Sequence, residues 1–342
     1  MPIETVDLVS SQATTEREEN DTLPEIFWEN TKLRPRVGIE AAVRRIQWFF
    51  GDSRKVLSAR QSYKTYSTVP RLALPDPFRP REPFASFDQV VLGRRSAMLA
   101  GTGPVFSADP VPLEKLGDLL YYTYGVLRAT PEPAGECLPA PAGQQTDGAS
   151  FRSGGTESSP DVVGDQKERA TRASAAAAQQ AAEIRRRVVP SGGALYPLEL
   201  YAVVLNVEGL AAGVYHYNAF DHHLEQLRAG ESSAVRAQLD QMVTTGLNYE
   251  GVAVMLVMSV TPLRATFKYG DRGFRLLLVE CGHAAQNAYL AATALGVSAC
   301  AIAGFYDDEV DRYLGINGLD EFSAYVMLMG MPLGPGETGE AA

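Results

Sequence analysis

The chain has 342 residues, 45% of them hydrophobic, and 31 basic against 41 acidic side chains leave a formal net charge of −10. That balance argues against a nucleic-acid or anionic-bilayer partner, since binding phosphate-rich surfaces relies on a basic face that releases counterions. The apolar content suffices for one large core or two modest ones.

In chain order, Met1 to Asn20 is polar and acidic without an apolar centre, so it reads as neither a secretory signal nor a basic transit peptide. Residues 1–83 mix charged, aromatic and proline-rich text, as in Leu72-Ala73-Leu74-Pro75, and predict an extended N-terminal arm wrapping the core. Phe87, Val90 and Val91 have the spacing of a helix that leads into Arg94-Arg95, and Leu113, Leu116, Leu119 and Leu120 predict another. Gly101-Thr102-Gly103 lacks the following glycine or lysine of a nucleotide-binding fingerprint. Residues 131–183 form a low-complexity insertion rich in Pro, Gly, Ser, Gln and Ala. Residues 131–166 are expected to be disordered, because such text buries too little surface to offset its ordering entropy. An alanine-rich helix is expected over 169–186.

Pro190-Ser191-Gly192-Gly193 then joins a small-residue turn to an alternating strand, Leu198 to Asn206. Gly213 to Asn218 and Leu224 to Leu227 predict a hairpin, and Ala234 to Val243 an amphipathic helix. Val252 to Val260 is the longest apolar run, too short for a bilayer and apt for a buried strand. Phe274 to Leu295 is apolar nearly all round, as in a helix buried in a core or at a subunit interface. Cys300 to Phe305 and Tyr325 to Met331 supply the last strands, before a flexible tail over 334–342. Helices and strands mix without strict βαβ repetition, which favours an α+β sheet flanked by helices. Cys137, Cys281 and Cys300 are too few and scattered for a disulfide framework or a metal site, and imply a reducing, cytoplasmic setting.

Four blocks carry chemistry. Arg94 and Arg95 offer forked, permanently charged donors suited to a phosphate, and equally suited to a solvated helix end. Gly192 and Gly193 allow a backbone to approach a flat ligand, although an ordinary turn reads the same way. Lys268-Tyr269 pairs an ammonium with a phenol, or is a surface pair on a loop. Glu280, His283 and Asn287 fall near one face of the long helix and need partners or water there. His283 lacks a second histidine at i+4, His222 and His223 would point to opposite faces of a strand, and His216 is expected to decorate the hairpin.

Together with Glu280-Cys281-Gly282-His283, Ala294-Leu295-Gly296 and Ala303-Gly304-Phe305, these blocks run in order from about Phe84 to Pro332. In that order the chain resembles the FMN-dependent nitroreductase-fold flavoproteins, specifically the SagB-type dehydrogenases that include azoline oxidases of thiazole and oxazole biosynthesis. Phe27-Trp28-Glu29-Asn30-Thr31-Lys32 also resembles the opening usual for SagB-type proteins. The resemblance implies an α+β nitroreductase-like fold over 84–333 with a central mixed or antiparallel sheet, a homodimer, and one FMN per site. It implies that Arg94, Arg95 and Ser96 meet the FMN phosphate and ribityl chain. The family often has a further arginine at the position of Met98 and a basic residue near the C-terminus; Arg187 is expected to compensate. Pro190, Ser191 and Gly192 match the loop against the flavin ring, usually given by the partner subunit, and Ala303 and Gly304 match the segment on its other side. Simple nitroreductases tend to have an acidic residue where Ala303 stands.

Lys268 and Tyr269 match the adjacent lysine and tyrosine that azoline oxidases place at the flavin, with Gly270, Arg272, Gly273 and Arg275 extending the match. Aromatising an azoline removes a proton and a hydride from adjacent ring carbons, and a phenol with an ordinary pKa of about 10 becomes a usable base when an ammonium favours its phenolate. The implied activity is oxidation of a thiazoline or oxazoline in a peptide or carrier-bound substrate, presented by a separate cyclase or carrier protein. The alternatives are an NAD(P)H-dependent nitroreductase or flavin reductase, and a non-catalytic flavin-fold partner. No metal is expected.

Overall fold

The computed structural model describes residues 27–28, 31, 39–52, 63–81, 83–99, 103–127, 186–244 and 250–334. The 131–183 insertion, the helix expected over 169–186 apart from Arg186, and the tail past residue 334 lie outside the described residues. In chain order the elements are α1 (Ile39–Phe50), β1 (Arg71–Ala73), α2 (Phe87–Gly93), β2 (Met98–Leu99), β3 (Gly103–Pro104), β4 (Val111–Pro112) and α3 (Leu113–Tyr124). After one 3-10 turn at Gly192–Ala194 come β5 (Leu198–Val204), β6 (Val207–Glu208), β7 (Gly213–Asn218), β8 (His223–Ala229) and α4 (Ser232–Met242). The chain continues through β9 (Val254–Val260), α5 (Pro262–Tyr269), α6 (Arg272–Leu295), β10 (Ser298–Ile302), α7 (Asp307–Leu314) and β11 (Phe322–Gly330).

Seven strands make one sheet in the order β1-β8-β7-β5-β9-β11-β10, and every neighbouring pair is antiparallel. Two small ladders, β2-β3 and β4-β6, lie outside it. In β5, Leu198, Leu200, Ala202 and Val204 join a core with α3 and α6, while Tyr201 and Val203 join a second core with α4 and α7. Helices thus cover both faces. The alternation expected of β5 is therefore buried on both sides rather than half-exposed, and β9 divides its apolar side chains between the same two cores.

The arm departs from the expected extended form, because it contains a helix and an edge strand. Phe49 is fully buried, Trp48 lies 5.3 Å from the Phe267 ring, and the Arg45 Nε donates to the Phe267 carbonyl at 3.3 Å. A helix is the form that turns these side chains towards α5 together. Further on, Arg79 grips Asp118 of α3 through two 2.9 Å hydrogen bonds, and β1 extends the sheet beside β8. Among the described residues no helix is long and apolar enough to cross a membrane.

His216 corrects the expectation of a decorated hairpin, since it is fully buried. Its Nδ1 lies 2.8 Å from Glu225 and its Nε2 3.0 Å from Glu199. Burial favours the neutral ring, but the hydrogen bonds to both carboxylates outweigh it and hold the pKa above the ordinary histidine value. Glu199 also pairs with Arg264 at 2.6 Å, and Glu225 accepts from Thr65 Oγ1 at 2.6 Å and the Tyr66 N–H at 3.0 Å. Beside them Lys64 Nζ meets Glu321 at 2.6 Å and the Tyr201 hydroxyl at 2.7 Å. The sheet interior thus holds a chain of alternating charges that fastens the arm to α5.

Candidate active site

Residues Arg186 to Pro197 enter the site along α3, where the Val188 N–H donates to the Gly125 carbonyl at 3.0 Å. The backbone then takes left-handed conformations at Gly193 (φ 71°), Ala194 (φ 55°) and Tyr196 (φ 46°). Two of these are non-glycine residues in a region that disfavours a Cβ, so tertiary contacts must hold the loop. Those contacts centre on Ser191. Its Oγ accepts from the Tyr196 N–H at 2.9 Å and its hydroxyl bonds Glu280, which in turn accepts from the Tyr124 hydroxyl at 2.5 Å. Tyr124 Oη itself accepts from the Leu198 N–H at 3.2 Å. Ser191 therefore faces inward as the anchor of the loop, leaving the backbone of Gly192 and Gly193 as its approach surface.

A side chain on either glycine would displace its neighbours. A Cβ on Gly192 would stand 3.0 Å from Leu276, and one on Gly193 would stand 2.6 Å from both Lys268 Nζ and Tyr269 Oη. The two polar atoms accordingly lie no more than twice that distance apart, across one glycine. Both residues sit in the last turn of α5, where Lys268 is 4% exposed, so the reading as a surface pair on a loop does not hold. The α5–α6 turn explains the glycines of this block: Gly270 has φ 61°, and a Cβ on Gly273 would meet the Ala265 carbonyl carbon at 2.7 Å. Its arginines serve the arm instead. Arg272 donates to the Thr31 carbonyl at 2.8 Å, and Arg275 bonds Thr31 Oγ1 and lies 3.6 Å over the Trp28 ring.

Arg94 and Ser96 gather around Tyr289 of α6. The Arg94 guanidinium lies 5.3 Å from the Tyr289 ring centroid, Ser96 Oγ is 3.3 Å from Tyr289 Oη, and that hydroxyl accepts from the Ala301 N–H at 2.7 Å. Arg95 is exposed and closes α2 through the Leu92 carbonyl at 2.8 Å. A capping box between Ser86 and Gln89 fixes the start of the same helix. Ala303 and Gly304 follow β10, with the Gly304 carbonyl accepting from the Thr244 N–H at 2.9 Å. Pro190 precedes the Ser191 anchor and is exposed. Arg187, expected to compensate as a phosphate ligand, is 6% exposed with its guanidinium 4.2 Å over the Tyr124 ring, whereas Arg95 is exposed.

Within one chain, then, Gly193, Lys268 and Tyr269 form one cluster, tied to α6 through Ser191 and Glu280, and Arg94, Ser96 and Tyr289 of α6 form another. Glu280 and Tyr289 are nine residues apart, about 13 Å along the helix axis. The three polar residues expected on one face of α6 diverge: Glu280 is buried, Asn287 is half-buried with its Nδ2 3.5 Å from the Val188 carbonyl, and His283 is exposed. An apolar cavity of about 460 Å³ opens beside Asn287 between α2, α3 and α6, lined by Phe87, Val90, Tyr122 and Leu290.

Burial lifts the Glu280 pKa to about 7, against the opposing hydrogen bonds from Ser191 and Tyr124 and the charges of Arg187 and Arg264. The fold therefore binds this proton more tightly than the unfolded chain does, so its contribution to stability is present below the ordinary value of 4.5 and is lost as pH rises through about 7. Glu280→Gln keeps a neutral hydrogen-bonding group in place. The variant is expected to lack that pH dependence and to exceed the parent in stability at alkaline pH by up to about 3 kcal/mol, read by urea unfolding at several pH values. A variant that follows the parental pH curve contradicts this.

A glycine-lined approach beside an ammonium and a phenol, and two arginines with a serine at the end of α2, fit a flat ring and a phosphate respectively. A family model described as the nitroreductase family matches residues 105–334. The chain is 36% identical over 151 residues to "Putative nitroreductase MJ1384" of Methanocaldococcus jannaschii, covering 43% of this chain and 70% of that protein. It is 35% identical over 136 residues to the microcin B17-processing protein McbC of Escherichia coli, covering 39% of this chain and 49% of McbC, so it matches about half the length of that relative. A solved structure from Ralstonia eutropha JMP134, carrying the same description as the first protein, superposes with TM-score 0.50 at 17% identity over 79% of this chain and 93% of that one, a likeness of fold.

Proposed function

The chain belongs to the nitroreductase family, and from that premise we propose that it is an FMN-dependent dehydrogenase that oxidises an azoline in a peptide-derived natural product to the aromatic azole. The observation that carries this reading is the convergence of Lys268 Nζ and Tyr269 Oη on Gly193. The similarity to McbC, described as processing microcin B17, supports it from a second side. Arg94, Arg95 and Ser96 would hold the FMN phosphate, and Gly192 with Gly304 would flank its ring. Bound FMN would supply the acceptor for the hydride, which carries both electrons that leave the heterocycle.

The chain's own residues do the rest. Tyr269 takes the proton from the carbon adjacent to the one losing hydride, and the Lys268 ammonium stabilises the phenolate that accepts it. Near-complete burial of Lys268 strengthens that interaction by excluding water. The Ser191–Glu280–Tyr124 chain keeps the loop at the distance this chemistry needs.

We propose further that the enzyme is a cytoplasmic homodimer whose substrate is presented by a separate cyclase or carrier protein. Leu278 and Val279 on α6 and Phe87 and Leu92 on α2 are exposed apolar side chains that a second copy would cover. Purified protein is expected to be yellow, to release FMN and not FAD on denaturation, and to run as a dimer in light scattering. FAD in the supernatant, or a monomer that keeps stoichiometric FMN, contradicts the assignment. Mixing with NADPH in a stopped-flow instrument separates this reading from a nitroreductase, which would bleach the flavin before any heterocycle is added.

A further inference from the structure

We infer that the N-terminal helix α1 completes the active site, with Phe49 and Phe50 as positioning residues that confine the Lys268 ammonium against Tyr269 and Gly193. The inference rests on the role given to Lys268 above. Lys268 Nζ lies 5.0 Å from the Phe49 centroid, 4.5 Å from that of Phe50 and 4.9 Å from that of Tyr269. Three rings thus surround one cation, and Gly193 stands on a further side. Aromatic faces attract an ammonium that burial has stripped of water, so the rings both hold the charge and fix its place.

Core packing accounts for only part of this arrangement. Phe49 is fully buried, packs with Leu195, and meets the Phe267 ring edge-on at 6.2 Å. Phe50 is 51% exposed, so burial explains little of its position; it meets the Phe49 ring edge-on at 5.3 Å and the Lys268 ammonium on its face. A lysine stem has four flexible carbons and no intrinsic reason to hold its nitrogen still. With Nζ and Tyr269 Oη so close across Gly193, a displacement of about 1 Å is enough to lose a large share of the rate. The other charged groups close in chain or contact are Arg45 of α1, which reaches the end of α5, Arg264 one turn back on Glu199, and Asp271 and Arg272 where α6 begins.

The test uses full-length, FMN-loaded Phe49→Leu, Phe50→Leu and Phe50→Tyr, each in single-turnover oxidation of a synthetic thiazoline peptide across pH, beside Lys268→Ala. Each protein is also labelled with trinitrobenzenesulfonate and the Lys268 adduct followed by mass spectrometry. Phe50→Leu is expected to lower the maximal rate about 5- to 20-fold at unchanged KM, and to move the alkaline limb to lower pH by about half a unit, because the charged amine has lost an attracting face. Labelling of Lys268 should quicken, and Phe50→Tyr should restore all three readouts. Where Phe49→Leu does not fold, Phe50→Leu decides. Leucine variants with the parental rate, profile and labelling, beside a slow Lys268→Ala, overturn the clamp. If Lys268→Ala itself runs at the parental rate, the catalytic reading fails instead, and labelling alone judges the clamp: faster in Phe50→Leu upholds it, unchanged sinks it.

Discussion

Tyr269→Phe is expected to slow oxidation of a thiazoline peptide by roughly 10²- to 10⁴-fold, the range lost with a general acid-base group, while flavin content stays at the parental level. The substitution keeps the ring that faces Lys268 Nζ at 4.9 Å and removes only the hydroxyl that points at Gly193. Lys268→Ala should impair the same step, because the ammonium and the phenol act on one proton. The double variant should then be little slower than either single one, as groups working as a unit are not additive. The decisive measurement is a single-turnover mix, which isolates chemistry from product release. Parental rates in both single variants would make the pair structural and move the base elsewhere.

The second large effect concerns stability. Glu199→Ala is expected to destabilise the fold by about 3 to 5 kcal/mol, the range for breaking a buried ion pair by removing one partner. It leaves Arg264 and His216 buried without the carboxylate that both contact, at 2.6 Å and 3.0 Å. Burial acts to raise the Glu199 pKa, but Arg264 and then His216 outweigh it and hold the carboxyl at about 2. A depressed acid stabilises the fold above its ordinary value of 4.5 and loses that contribution as pH falls towards 2, whereas the raised His216 contributes below 6.5 and loses its share above. The parent should therefore be most stable, as far as this pair is concerned, between those two limits, and the variant should lose the Glu199 share of the acid limb while that of Glu225, also held well below its ordinary value, remains. Urea unfolding from pH 3 to pH 8 reads both; a loss near zero at neutral pH would mean that the neighbouring groups relax into water.

Much of the architecture was legible because it is written at short range. The spacing of Phe87 and Val90 located α2, the leucines from Leu113 located α3, and the apolar run to Val260 located the central strand β9. Lys268 and Tyr269 were legible as a block, and the structure adds that they converge on Gly193. What escaped the sequence depends on partners far apart in it. Tyr124 and Glu280 are 156 residues apart, and Glu225 meets Thr65 across 160, so no local pattern announces that either acid is buried. For the same reason α1 was missed: its aromatic face has meaning only against Phe267, more than 200 residues later.

The bond between Lys64 and Glu321 spans 257 residues, and a ribosome makes the lysine first. At the usual 5 to 20 residues per second, about 13 to 50 seconds separate the two, so the arm leaves the exit tunnel long before its acid exists. Docking of the arm is therefore a late event in assembly. Until Glu321 emerges, Lys64 lacks its acid, and until Phe267 emerges the aromatic residues of α1 lack the ring they pack against. The enclosure of Lys268 by Phe49 and Phe50 is set within the same arm, so the catalytic centre closes only when a segment made first meets one made more than 200 residues later.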